Sequence, residues 1–405
     1  MAGQPEHVLV VGAGLAGLRT TEQLRSAGYQ GRISLVGAEI HAPYDRPPLS
    51  KQVLTGDWEP ERIVLRSLEA LDELGVRTYL GLRAVALRPG EIELSDGASL
   101  HSDAIVLATG VVARTLPGQP AAACTLRTLD DALALRTTLE KIGSLLVIGG
   151  GFIGAEVASA AVARGVAVTV LEAMDVPSGR ALGPVLGALA ARLMTEGGVD
   201  LHTGVRLTGF LDAGERVAVA LEDGRTFEAD ACVVGIGGTP HVDWLADTGI
   251  DLGNGIPCDA SGRVHGLDGV WAVGDVACWE DAVYGDRHRH EHWTSAGDQA
   301  TVVARDILGA DPPQPTVPYF WSDQFGLKIQ LIGRSDLADD VTALHGEGMT
   351  GGPLRGTVAG FFAGDRLMAV AGFGAARFVA RYRPLVAAGA ERATVLETAA
   401  ALSNR

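Results

Sequence analysis

Apolar and polar positions follow one recurring pattern along most of the chain. Short unbroken apolar runs end in glycine and pass into stretches with apolar residues every three or four positions. Buried parallel strands feeding amphipathic helices have this pattern. The first run, "HVLVVGAGL" over residues 7–15, predicts a strand, with a helix from about Ala16 to Ser26. A second strand, "RISLVGAE", ends at Glu39. The next segment, "HAPYDRPPLSK", carries three prolines and predicts a shaped loop without regular structure. Strands near residues 78–79 and 91–94 lead to "DAIVLATG" at 103–110.

After the loop "VVARTLPGQP" the pattern restarts. It predicts a strand over 145–149, a helix over 152–164, a strand over 166–172 and a helix over roughly 184–196. β segments around 205–220 then lead to "DACVVGIGGTP" at 230–240. The two passes share one plan, the mark of a duplicated βαβ architecture. The chain returns to a strand, "GVWAVGDVA" at 269–277, and a helix near Ser295–Leu308. "DPPQPTVP" at 311–318 reads as a linker. The last ninety residues predict strands, a hairpin turned at Gly364–Asp365 and a final helix beginning near Ala375, together a small α+β domain. The expected fold class is α/β: two Rossmann-like dinucleotide-binding domains and a C-terminal α+β domain.

Composition narrows the function. A length of 405 residues suits two or three domains, and 54 glycines fit many tight turns and close approaches of backbone to ligand. A net charge of −16 argues against nucleic acid and against an anionic membrane surface. The start "MAGQPEH" lacks a basic and apolar leader, so the expected location is cytoplasmic. Cys124, Cys232, Cys258 and Cys278 lie at least twenty residues apart, which encodes neither a local redox dithiol nor a zinc knuckle.

The chemistry sits in the glycines. Gly12-x-Gly14-x-x-Gly17 and Gly149-x-Gly151-x-x-Gly154 each follow a strand and open a helix. Such a turn brings backbone N–H groups and a helix N-terminus onto a pyrophosphate. Each copy has an acid at the end of its second strand, Glu39 and Glu172, where a carboxylate takes ribose hydroxyls. Two complete units imply two dinucleotides. Glu172 favours NADH, because a carboxylate repels the 2′-phosphate of NADPH; Arg180, eight residues on, softens that preference.

With these motifs in hand, the chain resembles the NADH-dependent ferredoxin reductases of bacterial oxygenase systems. That group includes putidaredoxin reductase and the biphenyl dioxygenase reductase component, within the glutathione-reductase-like flavoproteins. The resemblance runs over essentially the whole chain, through "VVGAGLAG", "PYDRPPLSK", "LATG", "LRTLDDA", "GGGFIGAE", "GIGGTP", "VWAVGDVA", "EHWTSAGDQA" and "PYFWSDQFGLKIQLIG". It implies an FAD domain over 1–112 and 236–312, an NADH domain over 113–235 and an interface domain over 313–405.

Carried over by position, the resemblance assigns Gly12, Gly14, Ala16 and Gly17 to the FAD pyrophosphate and Glu39 to its adenosine ribose. Ala84 offers backbone to adenine; Arg46, Thr109, Gly110 and Arg127 lie by the FAD; Gly274 and Asp275 meet the ribityl chain; Trp293 flanks the flavin ring. Gly149, Gly151, Phe152, Ile153, Gly154, Glu172 and Arg180 hold NADH, with Gly237 and Gly238 near its nicotinamide half. Lys51 is expected near the flavin as a catalytic ammonium paired with Glu156, because hydride transfer leaves the ring with anionic character and a buried ammonium needs a counter-charge.

No metal is expected. His288, His290 and His292 alternate in "RHRHEH", but no other ligand motif completes a site, and the segment reads as a polar surface strand. The loop "RPPLSK" stands where related disulfide reductases carry a dithiol, so the implied activity is NADH:ferredoxin oxidoreduction serving a cytochrome P450 or ring-hydroxylating oxygenase. Rubredoxin reduction and an apoptosis-inducing-factor-like NADH response are the alternatives. The expected partner is a ferredoxin and the expected state a monomer or weak homodimer. Trp321 matches an aromatic near the partner-facing surface of the family. Ferredoxins are usually acidic, so docking calls for a local basic patch, either Arg287, His288 and Arg289 or Arg377, Arg381 and Arg383.

Overall fold

The computed structural model describes residues 4–403. Residues 1–3 and 404–405, which belong to the expected FAD and interface domains and to the N-terminal stretch read for a leader, lie outside the described residues. The chain divides into two compact units: Met1–Asp45, Ile63–Val112 and Thr239–Pro318 form one, and Arg46–Arg62, Ala113–Gly238 and Tyr319–Arg405 the other.

In the first unit, five parallel strands run in the order Val270–Ala272, Ala104–Leu107, His7–Val11, Arg32–Gly37 and Val76–Leu80. All five residues of His7–Val11 are buried, which explains its unbroken apolar run. The helices Leu15–Ser26 and Trp293–Ile307 pack on each other beside the sheet. Two small three-stranded sheets complete the unit.

The second unit repeats the scheme with Asp200–His202, Ala167–Leu171, Ser144–Ile148, Ala231–Val234 and Ala123–Cys124, again all parallel. The helix Phe152–Ala163 follows its central strand. A left-handed Gly183 interrupts Gly179–Glu196, and Pro184 opens the longer part at the expected residue.

The same unit ends in a five-stranded antiparallel sheet ordered Tyr319–Gln324, Leu327–Gly333, Arg366–Phe373, Thr357–Ala363 and Asp340–His345. The outer strands at 319–324 and 340–345 were not expected. In the first of them the fully buried positions are polar, Ser322 and Gln324, which hides the period-two signal. The final helix is two helices, Ala376–Ala388 and Arg392–Ser403, because Gly389 adopts a left-handed φ of 55° and ends the first. The proline loop also differs from expectation. Pro47–Ser50 forms a 3-10 turn followed by the short helix Gln52–Thr55, since the fixed φ of proline fits a first helical turn.

Candidate functional site

The first glycine cradle lies at the carboxyl ends of the parallel strands. A Cβ on Gly12, whose φ is 121°, would strike the Ala108 carbonyl, and one on Gly17 would strike the Gly12 carbonyl. Gly14 is different: nothing lies within 4 Å of where its Cβ would be, and as N-cap it has no side chain to satisfy the first N–H groups of the helix. Two glycines close the turn and the third leaves space and donors facing outward, which fits a pyrophosphate.

The other predicted residues of this unit are held by the following contacts. Ala16 abuts the left-handed Gly274, whose N–H donates to Gln299 Oε1 at 2.7 Å, and Asp275 follows directly. Glu39 accepts from Tyr44 Oη at 2.5 Å, and its carbonyl accepts from Gly81 N at 3.0 Å, at the approach to Ala84. Thr109 Oγ1 donates to the His241 carbonyl at 3.0 Å, while the Gly110 carbonyl accepts from His241 N at 3.0 Å. Trp293 opens its helix about one-third exposed, with its indole N–H on Asp45 Oδ1 at 2.7 Å. Asp45 and Gln299 lie within quoted segments but were given no role, and His241 lies just beyond "GIGGTP"; none of the three was anticipated.

The second cradle repeats the arrangement. A Cβ on Gly149 or Gly154 would strike backbone, whereas Gly151 faces open space as the uncapped N-cap of Phe152–Ala163. Ile153, in the first turn, is 46% exposed, and Phe152 packs on Phe320 with ring centroids 4.2 Å apart. Glu172 is tied to the glycine turn itself: Oε2 accepts from Gly150 N at 2.6 Å and Oε1 from Met174 N at 2.7 Å. A carboxylate offers about four lone-pair sites, so two remain for a ribose diol. Arg180 is exposed at the start of the helical run after this strand. Gly237 and Gly238 are held through their carbonyls by Arg114, at 3.0 and 3.1 Å. Arg46 Nη1 donates to the Arg127 carbonyl at 2.7 Å, so these two predicted residues meet within the second unit.

Lys51 and Glu156, 105 positions apart, form an ion pair of 2.7 Å between side chains 12% and 3% exposed. Glu156 is the sole acidic residue on a helix whose other buried positions are glycine, alanine and valine. Two residues the motifs did not reveal complete its shell. Ser50 Oγ donates to Oε2 and Ser322 Oγ to Oε1, both at 2.5 Å. Lys51 also donates to the Pro47 carbonyl at 3.0 Å. A buried ion pair is tolerated when its remaining lone pairs are filled, and here three donors converge on one carboxylate.

All four cysteines are free. Cys124 and Cys232 are neighbours across paired strands, the Cys124 thiol on the Cys232 carbonyl at 3.5 Å. Burial raises their pKa values to about 11 and about 12, so both remain protonated thiols at neutral pH.

The histidine segment corrects its expectation as a polar surface strand. Only Arg287–His288 pairs as strand; His290 turns inward at 9% exposure and bonds Asp281 at 3.0 Å. Burial, then His290 and His288, lower the pKa of His292 to about 3, keeping that ring neutral. Among the described residues no group of three His, Cys, Asp or Glu side chains is arranged to hold a metal ion. Nor, among them, is any helix long and apolar enough to cross a membrane. Of the two basic patches, Arg287 pairs with Glu280, and Arg289 with Glu291 and the Asp275 carbonyl. Arg377 and Arg381 lie exposed one turn apart on the helix Ala376–Ala388.

Comparison with known proteins gives the same reading. Residues 319–403 match a family described as reductase C-terminal. The chain is 39% identical over 333 residues to the benzene 1,2-dioxygenase system ferredoxin–NAD(+) reductase subunit of Pseudomonas putida, covering 81% of this chain and 80% of that one. It is 36% identical over 393 residues to the anthranilate 1,2-dioxygenase system ferredoxin–NAD(+) reductase component of Burkholderia cepacia, covering 94% of each. Among solved structures, the covalent putidaredoxin reductase–putidaredoxin complex superposes with a TM-score of 0.92 at 30% identity, over 99% of this chain and 100% of that one. Residues 6–300 match the family described as pyridine nucleotide-disulphide oxidoreductase, and to that family this chain belongs.

Proposed function

We propose that this chain is an FAD-containing NADH:ferredoxin oxidoreductase, whose iron–sulfur partner feeds a cytochrome P450 or ring-hydroxylating oxygenase. Bound FAD supplies the chemistry of such a reductase, accepting two electrons with a hydride and releasing them singly. In this reading residues 1–112 and 236–312 form the FAD domain, 113–235 the NADH domain and 313–405 the interface domain. It works in the cytoplasm, which four free thiols suit.

Gly12, Gly14, Ala16 and Gly17 hold the FAD pyrophosphate, and Glu39 and the Ala84 backbone its adenosine. Arg46, Thr109, Gly110, Arg127, Gly274, Asp275 and Trp293 orient the rest. Gly149, Gly151, Phe152, Ile153, Gly154 and Glu172 hold NADH, with Arg180, Gly237 and Gly238 beside it. Lys51, its charge balanced by Glu156, stabilises the negative charge that arrives with hydride.

The observation that carries the reading is the pairing of two open, uncapped cradles with four free cysteines, of which Cys124 and Cys232 are kept as protonated thiols by burial. The electrons then leave for a protein acceptor without a sulfur relay. The test is anaerobic mixing of the FAD-loaded chain with NADH and a [2Fe–2S] ferredoxin, followed optically. Rapid reduction of flavin and then of ferredoxin is expected. A long-lived reduced flavin that passes nothing to any ferredoxin or rubredoxin would overturn the assignment.

A further inference from the structure

The Glu156 carboxylate is held by more than its ion pair. Its Oε2 receives Lys51 Nζ and Ser50 Oγ, whereas Oε1 receives, among the described residues, Ser322 Oγ alone, from a strand 166 positions away. Gln324 Nε2 lies 2.9 Å from Ser322 Oγ, and both residues are buried. An amide NH₂ can only donate. Ser322 therefore spends a lone pair on Gln324 and has one proton to give, which goes to Glu156. The direction of every bond is thereby set: Gln324 to Ser322, Ser322 to Glu156, Lys51 to Glu156. Lys51 has three N–H bonds, and among the described residues they meet two acceptors, Glu156 Oε2 and the Pro47 carbonyl. The third N–H is left over, in a side chain 12% exposed. Its direction depends on where Glu156 Oε2 sits, and that depends on what pins Oε1.

We propose that Ser322, oriented by Gln324, is a positioning residue for hydride chemistry: it pins Glu156 Oε1 so that Oε2 holds the Lys51 ammonium with one N–H presented to a ligand. The inference rests on the proposed role of Lys51. It adds a requirement that lies in the C-terminal segment, outside both dinucleotide motifs. Without the Ser322 hydroxyl, Oε1 loses its one donor, the carboxylate rotates about its last torsion, and the ammonium turns with it. Ser50 does not substitute, because it bonds the oxygen that already carries Lys51.

The test compares Ser322→Ala, Ser322→Thr and Lys51→Met with wild type by two readouts. The first is the limiting rate of flavin reduction by NADH in the FAD-loaded chain. The second, made without flavin, is trace acetylation of Lys51 quantified by mass spectrometry. Ser322→Ala is expected to slow flavin reduction about tenfold, the worth of one charge-assisted hydrogen bond. The NADH concentration for half-maximal rate stays unchanged, and Lys51 acetylation speeds up several-fold. Ser322→Thr, which keeps the hydroxyl, restores both. A Ser322→Ala chain with wild-type reduction rate or wild-type acetylation overturns the inference. So does a Ser322→Thr chain as slow as Ser322→Ala, which would make the effect one of packing. If Ser322→Ala does not fold, Gln324→Leu, which leaves the serine proton undirected, is read by the same criteria. Lys51→Met separates the two levels: slow reduction there with an unaffected Ser322→Ala removes only the positioning role, whereas rapid reduction in Lys51→Met removes the role of Lys51 itself.

Discussion

Replacing Glu172 with alanine tests two jobs of one carboxylate. Its oxygens accept from Gly150 N and Met174 N at 2.6 and 2.7 Å, which closes the second cradle, and in the proposed function its two remaining lone-pair sites take a ribose diol. Gly150 is buried, so the alanine variant leaves an N–H without water or acceptor, costing about 1–3 kcal/mol of stability. The proposed ribose contact is separate. A charge-assisted hydrogen bond contributes about 1.5–3 kcal/mol, which weakens NADH binding roughly tenfold to 150-fold when it is lost. For NADPH the sign reverses. A carboxylate about 5 Å from a phosphate charge repels it by about 3 kcal/mol at an effective dielectric constant near 20, and salt reduces this further. Removing Glu172 therefore relieves NADPH while penalising NADH, and the preference narrows by about three to four orders of magnitude at low salt, less as salt screens the repulsion. Titration calorimetry with both nucleotides, beside a thermal melt, reads the two jobs apart. Unchanged affinities with a lowered melting temperature would leave Glu172 as a tie for the turn and refute it as the ribose ligand.

Lys51→Met is expected to slow flavin reduction while FAD stays bound, and a wild-type rate would take Lys51 out of the chemistry. Arg377→Glu with Arg381→Glu, a charge reversal on an exposed helix face, should slow association with an acidic ferredoxin about tenfold at low salt, with the difference fading as salt is added; a salt-independent rate would exclude this face. The four thiols should resist a thiol reagent at pH 7.5 in the folded chain, and serine at all four positions should leave ferredoxin reduction intact. Because burial raises the pKa values of Cys124 and Cys232 to about 11 and 12, the folded state holds protons that the unfolded state releases from about pH 8.5–9 upward, so stability falls as pH rises through that window. Burial lowers the pKa of His7, so its contribution is complete above about pH 6.5 and declines as pH falls below it; His7→Gln should flatten the acid side of a melting-temperature profile.

How far the sequence carried depends on the range of the interaction. The strands around both cradles were legible because parallel strands buried on both faces must be continuously apolar, and the glycines because each turn brings backbone onto backbone. The outer strand Tyr319–Gln324 was not legible, since its most buried positions are polar. "RHRHEH" misled for a related reason: alternation implied one polar face, whereas His290 turns in to meet Asp281.

By itself, then, the sequence determined two dinucleotide units, the acids that end their second strands, and the lack of a Cys-x-x-Cys pair. These are properties of segments a few dozen residues long, written in periodicity and in where only glycine fits. Tertiary structure alone decided which hydroxyls reach Glu156, that Cys124 lies beside Cys232, and that Trp293 is held by Asp45 across 248 positions. A buried carboxylate demands donors, but local patterning does not specify which distant strand supplies them; only the packed chain sets those distances.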